Sequence, residues 1–164
     1  MIAKAATISH GGNAVRYSVN KDKAEIVKVN FLPDDISAEA MYQRMVLKQK
    51  EFASTINKGR PLKRNVIRME ISPTKEESAG WTLDDWVRLA NEYIQIFDSI
   101  DLSKKAKRAS AKCTNVRNSQ YIVALHHDAK SGIPHLHIDV NRVDMNGKVN
   151  DDHLIAERAM SVAY

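Results

Sequence analysis

The chain has 164 residues, 43% hydrophobic and 27% charged, with a formal net charge of +5, which suits one domain with a real core. No apolar stretch approaches the ~20 residues of a membrane span, and no signal-peptide pattern is recognised, so a cytoplasmic location without membrane insertion is expected. The lone Cys113 rules out a disulfide within the chain, and the basic balance favours an anionic partner, most simply nucleic acid.

In chain order, Ile2 to Ile8 reads as a short strand broken by Gly11-Gly12, and Asn13 to Lys21 as a short helix carrying Tyr17. Glu25 to Leu32 alternates as a peripheral strand that Pro33-Asp34-Asp35 ends. Ser37 caps a helix running to about Thr55, with Met41, Met45 and Phe52 in the core. Asn65 to Ser72 alternates cleanly. Ile67, Met69 and Ile71 form one face, while Val66, Arg68, Glu70 and Ser72 form the other.

The next helix has the best-marked start. Thr82 is its N-cap, Asp85 takes the capping-box position, and Trp81 and Trp86 form a hydrophobic staple. Leu89, Ala90, Tyr93, Phe97 and Ile100 give it a buried face. A basic segment follows, with Lys104, Lys105, Lys107, Arg108, Lys112 and Arg117. Without apolar periodicity it reads as a loop or mobile arm, able to touch phosphates or simply to sit in solvent. Asn150 or Asp151 then caps a last helix through Met160. The economical architecture is one α+β domain over residues 1–164, with a mainly antiparallel sheet of about five strands and flanking helices. Tyr164 ends the chain in mid-pattern, as the N-terminal part of a longer protein would.

The chemistry concentrates between the basic segment and the last helix. Four of the six histidines fall within residues 126–137. Tyr121 to His126 and His135 to Asn141 read as two strands around a turn built on Ser131-Gly132 and Pro134. With the loop centred between Ser131 and Gly132, His126 faces His137, and His135 lies diagonally from it. Such neighbours stand roughly 5–8 Å apart, within reach of one metal ion. Strand parity turns His127 away, puts Asp128, Asp139 and Asn141 on the histidine face, and turns Leu136, Ile138 and Val140 to the core. An ordinary hairpin with solvated histidines is the bland alternative. Three imidazoles leave open positions on an ion, as a catalytic site requires. Helical zincin spacing is absent, as are the paired cysteines of nucleobase deaminases. For a basic protein, phosphoryl transfer on nucleic acid is the leading chemistry.

His126-x-Asp128 followed by His135-x-His137-x-x-x-Asn141 resembles the metal motif of the conjugative and mobilization relaxases of the HUH endonuclease superfamily. Other stretches agree with it: Met1-Ile2-Ala3-Lys4, Ala14-Val15-Arg16-Tyr17 leading into Asn20 to Ala24, Val66 to Pro73, Trp81 to Phe97, and Ala156 to Ala159. The resemblance implies a palm-like relaxase domain that nicks one DNA strand at an origin of transfer. Tyr17 would attack the scissile phosphate, leaving a 5′-phosphotyrosine and a free 3′-hydroxyl. His126, His135 and His137 would hold a divalent metal, Mg or Mn by resemblance, while imidazole ligation also suits Zn, Ni or Co.

Asp128 could orient a ligand ring, Asn141 could orient a ring or contact DNA, and Glu70 could act as a supporting acid. Arg68, Lys104, Lys105, Lys107 and Arg108 are candidate phosphate contacts. Partners implied are single-stranded origin DNA, accessory mobilization proteins and a secretion coupling protein in a bacterial cytoplasm. Three alternatives compete: a replication-initiator or transposase-type nickase, a non-catalytic metal-containing DNA-binding module, and a phosphodiesterase using water.

Overall fold

The computed structural model describes residues 1–127 and 132–163. Five strands, β1 (Ile2–Ile8), β2 (Glu25–Asn30), β3 (Val66–Ser72), β4 (Ser119–His126) and β5 (His135–Asp144), form one sheet in the order β1-β3-β5-β4-β2. Every pairing is antiparallel. Six helices flank it among the described residues: α1 (Gly11–Asn20), α2 (Ala38–Glu51), α3 (Ala53–Ile56), α4 (Leu83–Ser99), α5 (Ser103–Ala106) and α6 (Ile155–Val162). The expected α+β architecture is therefore the observed one.

Alternation along the strands sorts side chains onto two covered faces. Ile67, Met69, Ile71, Val123, Leu125, Leu136, Ile138 and Val140 pack with Trp86, Tyr93 and Phe97 of α4 and with Ile155 and Ala159 of α6. On the other face Val66 and Ile122 pack with Val15 of α1 and Met41 and Met45 of α2. This second layer lies on the histidine side. All eight residues of β4 are consequently buried, which accounts for its nearly continuous apolar run.

Helix α4 starts as its sequence requires. Thr82 Oγ1 accepts from the Asp85 backbone N–H, and Asp85 Oδ2 accepts from the Thr82 backbone N–H at 2.8 Å. The Trp81 and Trp86 rings meet at 4.9 Å. Ser37 caps α2 through the Ala40 N–H, although the expected single helix to Thr55 is divided at Phe52, whose φ of −109° leaves the helical range.

Three expectations need correction. Gly11 and Gly12 do not interrupt the chain before α1; they form its first turn. A Cβ on Gly11 would overlap the Val66 side chain and come within 3.0 Å of the Tyr42 ring, so only glycine lets α1 approach the sheet this closely. The basic segment is not a mobile arm. Asp98 Oδ1 accepts from Thr114 Oγ1 at 2.6 Å and from the Val116 N–H at 2.8 Å, while buried Arg158 donates to the Ala111 carbonyl at 2.8 Å. Hydrogen bonds to α4 and α6, rather than an apolar stripe, fix this stretch, which is why periodicity could not reveal it. Finally, neither Asn150 nor Asp151 caps the last helix, which begins after a left-handed Leu154. Asn150 Oδ1 instead accepts from the Asn115 N–H, and Asp151 Oδ1 from the His153 N–H.

Candidate active site

The two central strands β4 and β5 bring His126, His135 and His137 together, but not in the expected register. His126 is paired with His135, and His137 lies opposite Ala124. The pairing is therefore displaced by two residues from the expected one of His126 with His137. A two-residue change in pairing preserves parity, so the same three rings still share a face. Asp128 lies outside the described residues. His127 turns away as expected, exposed and 3.4 Å from Glu25.

Ring centroids of His126 and His137 are 4.0 Å apart, and those of His135 and His137 are 4.9 Å apart. All three rings are buried, and each offers a nitrogen within 4.8 Å of the other two. Nε2 of His135 and Nε2 of His137 are 3.0 Å apart. Two nitrogens bound to one ion at about 2.1 Å come to about 3 Å of each other at a right angle. Glu70 Oε1, on the neighbouring strand β3, lies 3.8 Å from His135 Nε2 and 3.9 Å from His137 Nε2. That is too far for a direct hydrogen bond and suited to contact through a water or an ion. The donor set fits a divalent metal.

Helix α1 lays Tyr17 over this cluster. The Tyr17 ring is 5.6 Å from His126 and 5.7 Å from His137, and 42% exposed. Arg68 and Lys21 flank it, the guanidinium carbon at 5.5 Å and the ammonium at 4.9 Å from the ring centroid. Two cations therefore stand where a phosphate brought to Tyr17 would carry negative charge. Behind them Asp139, paired across the ladder with Arg68, is fully buried. Burial pushes its carboxyl up to about 6, with the Ser18 hydroxyl and the Arg68 guanidinium pulling partway back.

Of the residues singled out from sequence, Tyr17, Arg68, Glu70, His126, His135 and His137 are gathered at one place. Asn141 is not. Its amide is fully buried and bonded to Gln49, Gln120 and the Met45 carbonyl, tying α2 to the sheet. Lys104, Lys105, Lys107 and Arg108 lie beside α6 on the opposite layer, with Lys105 paired to Glu157 and Arg108 to Asp151. Tyr93 and Tyr121 are buried in that layer's core, and Tyr42 packs against α1. Lys21 went unnoticed in the sequence, although its spacing of one helical turn from Tyr17 is the signal that could have found it. The Ser18 carbonyl, 2.9 Å from His126 Nε2, is a backbone group and leaves no trace in composition.

An antiparallel sheet whose central strands pool their histidines beneath a tyrosine-bearing helix is the layout of an HUH-type endonuclease. Independently, the family model of relaxases described as MobA/VirD2-like, nuclease domain, matches residues 17–163. The chain belongs to that family and is a relaxase, a DNA nickase. No curated protein and no solved structure matches it. No helix among the described residues is long and apolar enough to cross a membrane.

Proposed function

We propose that the protein nicks single-stranded DNA at an origin of transfer, for the mobilization of a plasmid or similar element. The Tyr17 oxygen attacks the scissile phosphorus, the bond to the 3′-oxygen breaks, and that oxygen departs with a proton as a 3′-hydroxyl. The strand's 5′ end remains on the enzyme as a phosphotyrosine. A phosphodiester replaces a phosphodiester, so the 3′-hydroxyl can reverse the step and rejoin the strand. A metal-activated water would instead cut irreversibly.

His126, His135 and His137 hold the divalent ion in this reading. When bound, such an ion supplies positive charge to the phosphate oxygens. Glu70 supports the rings from β3, and Arg68 and Lys21 meet the phosphate. Mg or Mn is the expected ion by family, and the imidazole set admits Zn, Ni or Co. The observation that carries the proposal is the placement of the Tyr17 ring within 5.7 Å of two of the three clustered imidazoles.

Incubation with single-stranded origin DNA and Mn, followed by a denaturing gel, tests it. Wild type should form a covalent protein–DNA adduct, and Tyr17→Phe should form none while still binding DNA and Mn. An adduct that persists in Tyr17→Phe removes the nucleophile assignment. Cleavage without any adduct favours the water mechanism, and metal binding without cleavage favours a binding module.

A further inference from the structure

A second site lies on the same layer, beyond the N-terminal end of α1. A cavity of about 430 Å³ opens between α2, α3 and the segment leading into β3, within the size range of small-molecule pockets. Val46, Ile56 and Leu62 supply apolar walls, and Tyr42, Gln49 and Asn65 supply polar groups. Asn65 donates to the Tyr42 hydroxyl at 3.1 Å and to Gln49 Oε1 at 3.2 Å. The Tyr42 hydroxyl, accepting there, keeps its own proton to donate.

The segment that closes the cavity is strongly basic in sequence. Residues 58–64 hold Lys58, Arg60, Lys63 and Arg64 and no acid, and none of these four makes an ion pair among the described residues. Lys50 and Arg60 belong to the cavity wall itself and are exposed. Apolar walls, hydrogen-bonding groups and the cations Lys50 and Arg60 in the wall match a nucleobase attached to its phosphate chain.

Position supports the same occupant. Asn141, whose amide bonds to Gln49, lies four residues from His137 on β5, about 13 Å at strand rise. That span is about four nucleotide rises of 3.4 Å, and fewer for an extended strand. Tyr42 lies against Gly11 and Gly12, so α1 connects the cavity to Tyr17.

We infer that this cavity receives one nucleobase of the single strand while residues 58–64 hold the adjoining phosphates. The inference rests on the nickase reading and adds to it a base-binding pocket remote from the chemistry. Base contacts there give the enzyme a preference among strands that phosphate contacts alone cannot give.

The test uses fluorescein-labelled oligo(dA), oligo(dC) and oligo(dT), and an abasic sugar-phosphate strand of equal length, with affinity read by anisotropy. Wild type should bind at least one base-bearing strand roughly ten- to a hundred-fold more tightly than the abasic strand. Ala53→Trp, which fills the cavity, should remove most of that preference while binding the abasic strand as wild type does. Ile56→Trp, from another wall, should repeat the result if the first variant misfolds. Arg60→Gln with Lys63→Gln should flatten the salt dependence on every strand.

A preference unchanged in both tryptophan variants overturns the pocket, as does a wild type indifferent to bases. Failure of wild type to bind any strand overturns the pocket together with the single-strand reading beneath it. Absence of the Tyr17 adduct with base preference intact removes the nucleophile and leaves the pocket standing.

Discussion

The backbone carbonyl of Ser18 lies 2.9 Å from Nε2 of His126. A carbonyl only accepts, so Nε2 carries the proton and the lone pair of His126 is left on Nδ1. Ser18 directly follows Tyr17 on α1, so one helix both presents the candidate nucleophile and sets the tautomer of a candidate ligand. Metal-bound histidines are commonly oriented through such a bond from their other nitrogen. The histidine cluster and the tyrosine are thus linked through one helix rather than two features that happen to meet.

Metal affinity should rank the residues of that unit. His137→Ala removes the ring nearest both partners and should lower Mn affinity by at least about a hundredfold. Glu70→Gln, which removes only the supporting carboxylate, should cost about ten- to a hundred-fold. Isothermal titration of the two variants checks the order, and equal affinity in His137→Ala and wild type would remove the three-histidine assignment.

Close packing at two glycines separates stability from function. Gly11→Ala forces a methyl group into Val66 beneath α1. Gly147→Ala forces one into the Phe52 ring at a φ of +84°. Each should cost about 1–3 kcal/mol in urea unfolding. Only Gly11→Ala shifts the helix that carries Tyr17, so only it should slow adduct formation per folded molecule. Slowing by both, to the same degree, would mean that the site responds to global loosening instead.

Burial of a single hydroxyl gives a third check. The Tyr93 hydroxyl donates to the Ala159 carbonyl at 2.9 Å, joining α4 to α6, and burial raises its pKa well above that of a free phenol. Tyr93→Phe should destabilise the domain by about 1 kcal/mol without changing Mn affinity, as thermal melts with and without metal would register.

Strand parity was the part of this molecule most open to reading from sequence. Period-two alternation put His126, His135 and His137 on one face and Leu136, Ile138 and Val140 on the other, and that sorting survives a two-residue error in register because parity is unchanged. Thr82 and Asp85 announced α4 through chemistry confined to four consecutive residues. What stayed hidden depends on distant partners. Asn141 continues the histidine parity, but its partners Gln49 and Gln120, 92 and 21 residues away, could not be read from that pattern. The segment after α4 lacked periodicity because Asp98 and Arg158 secure it. The cations of residues 58–64 carried no motif, and only the fold sets Arg60 in the wall of a cavity.

The capping box of α4 should leave a pH signature. Hydrogen bonding from the Thr82 backbone holds the Asp85 carboxyl below its ordinary value of 3.8, and the charge also favours the positive end of the helix. A carboxyl with a folded pKa below its unfolded one binds fewer protons in the native state, so stability rises with pH across that window. Its contribution is complete above about pH 4 and is lost as pH falls through the depressed folded value. Asp85→Asn lacks the charge at every pH. Urea midpoints of wild type and Asp85→Asn should therefore differ by a constant amount near neutrality, with wild type the more stable, and should converge as the solution is acidified below 3.8. Glu77 and Asp101, also held low by local hydrogen bonds, add the same acid dependence to both proteins and cancel in the difference. A gap that stays constant down to about pH 2 would show that the Asp85 charge contributes nothing and that the cap acts through neutral hydrogen bonds alone.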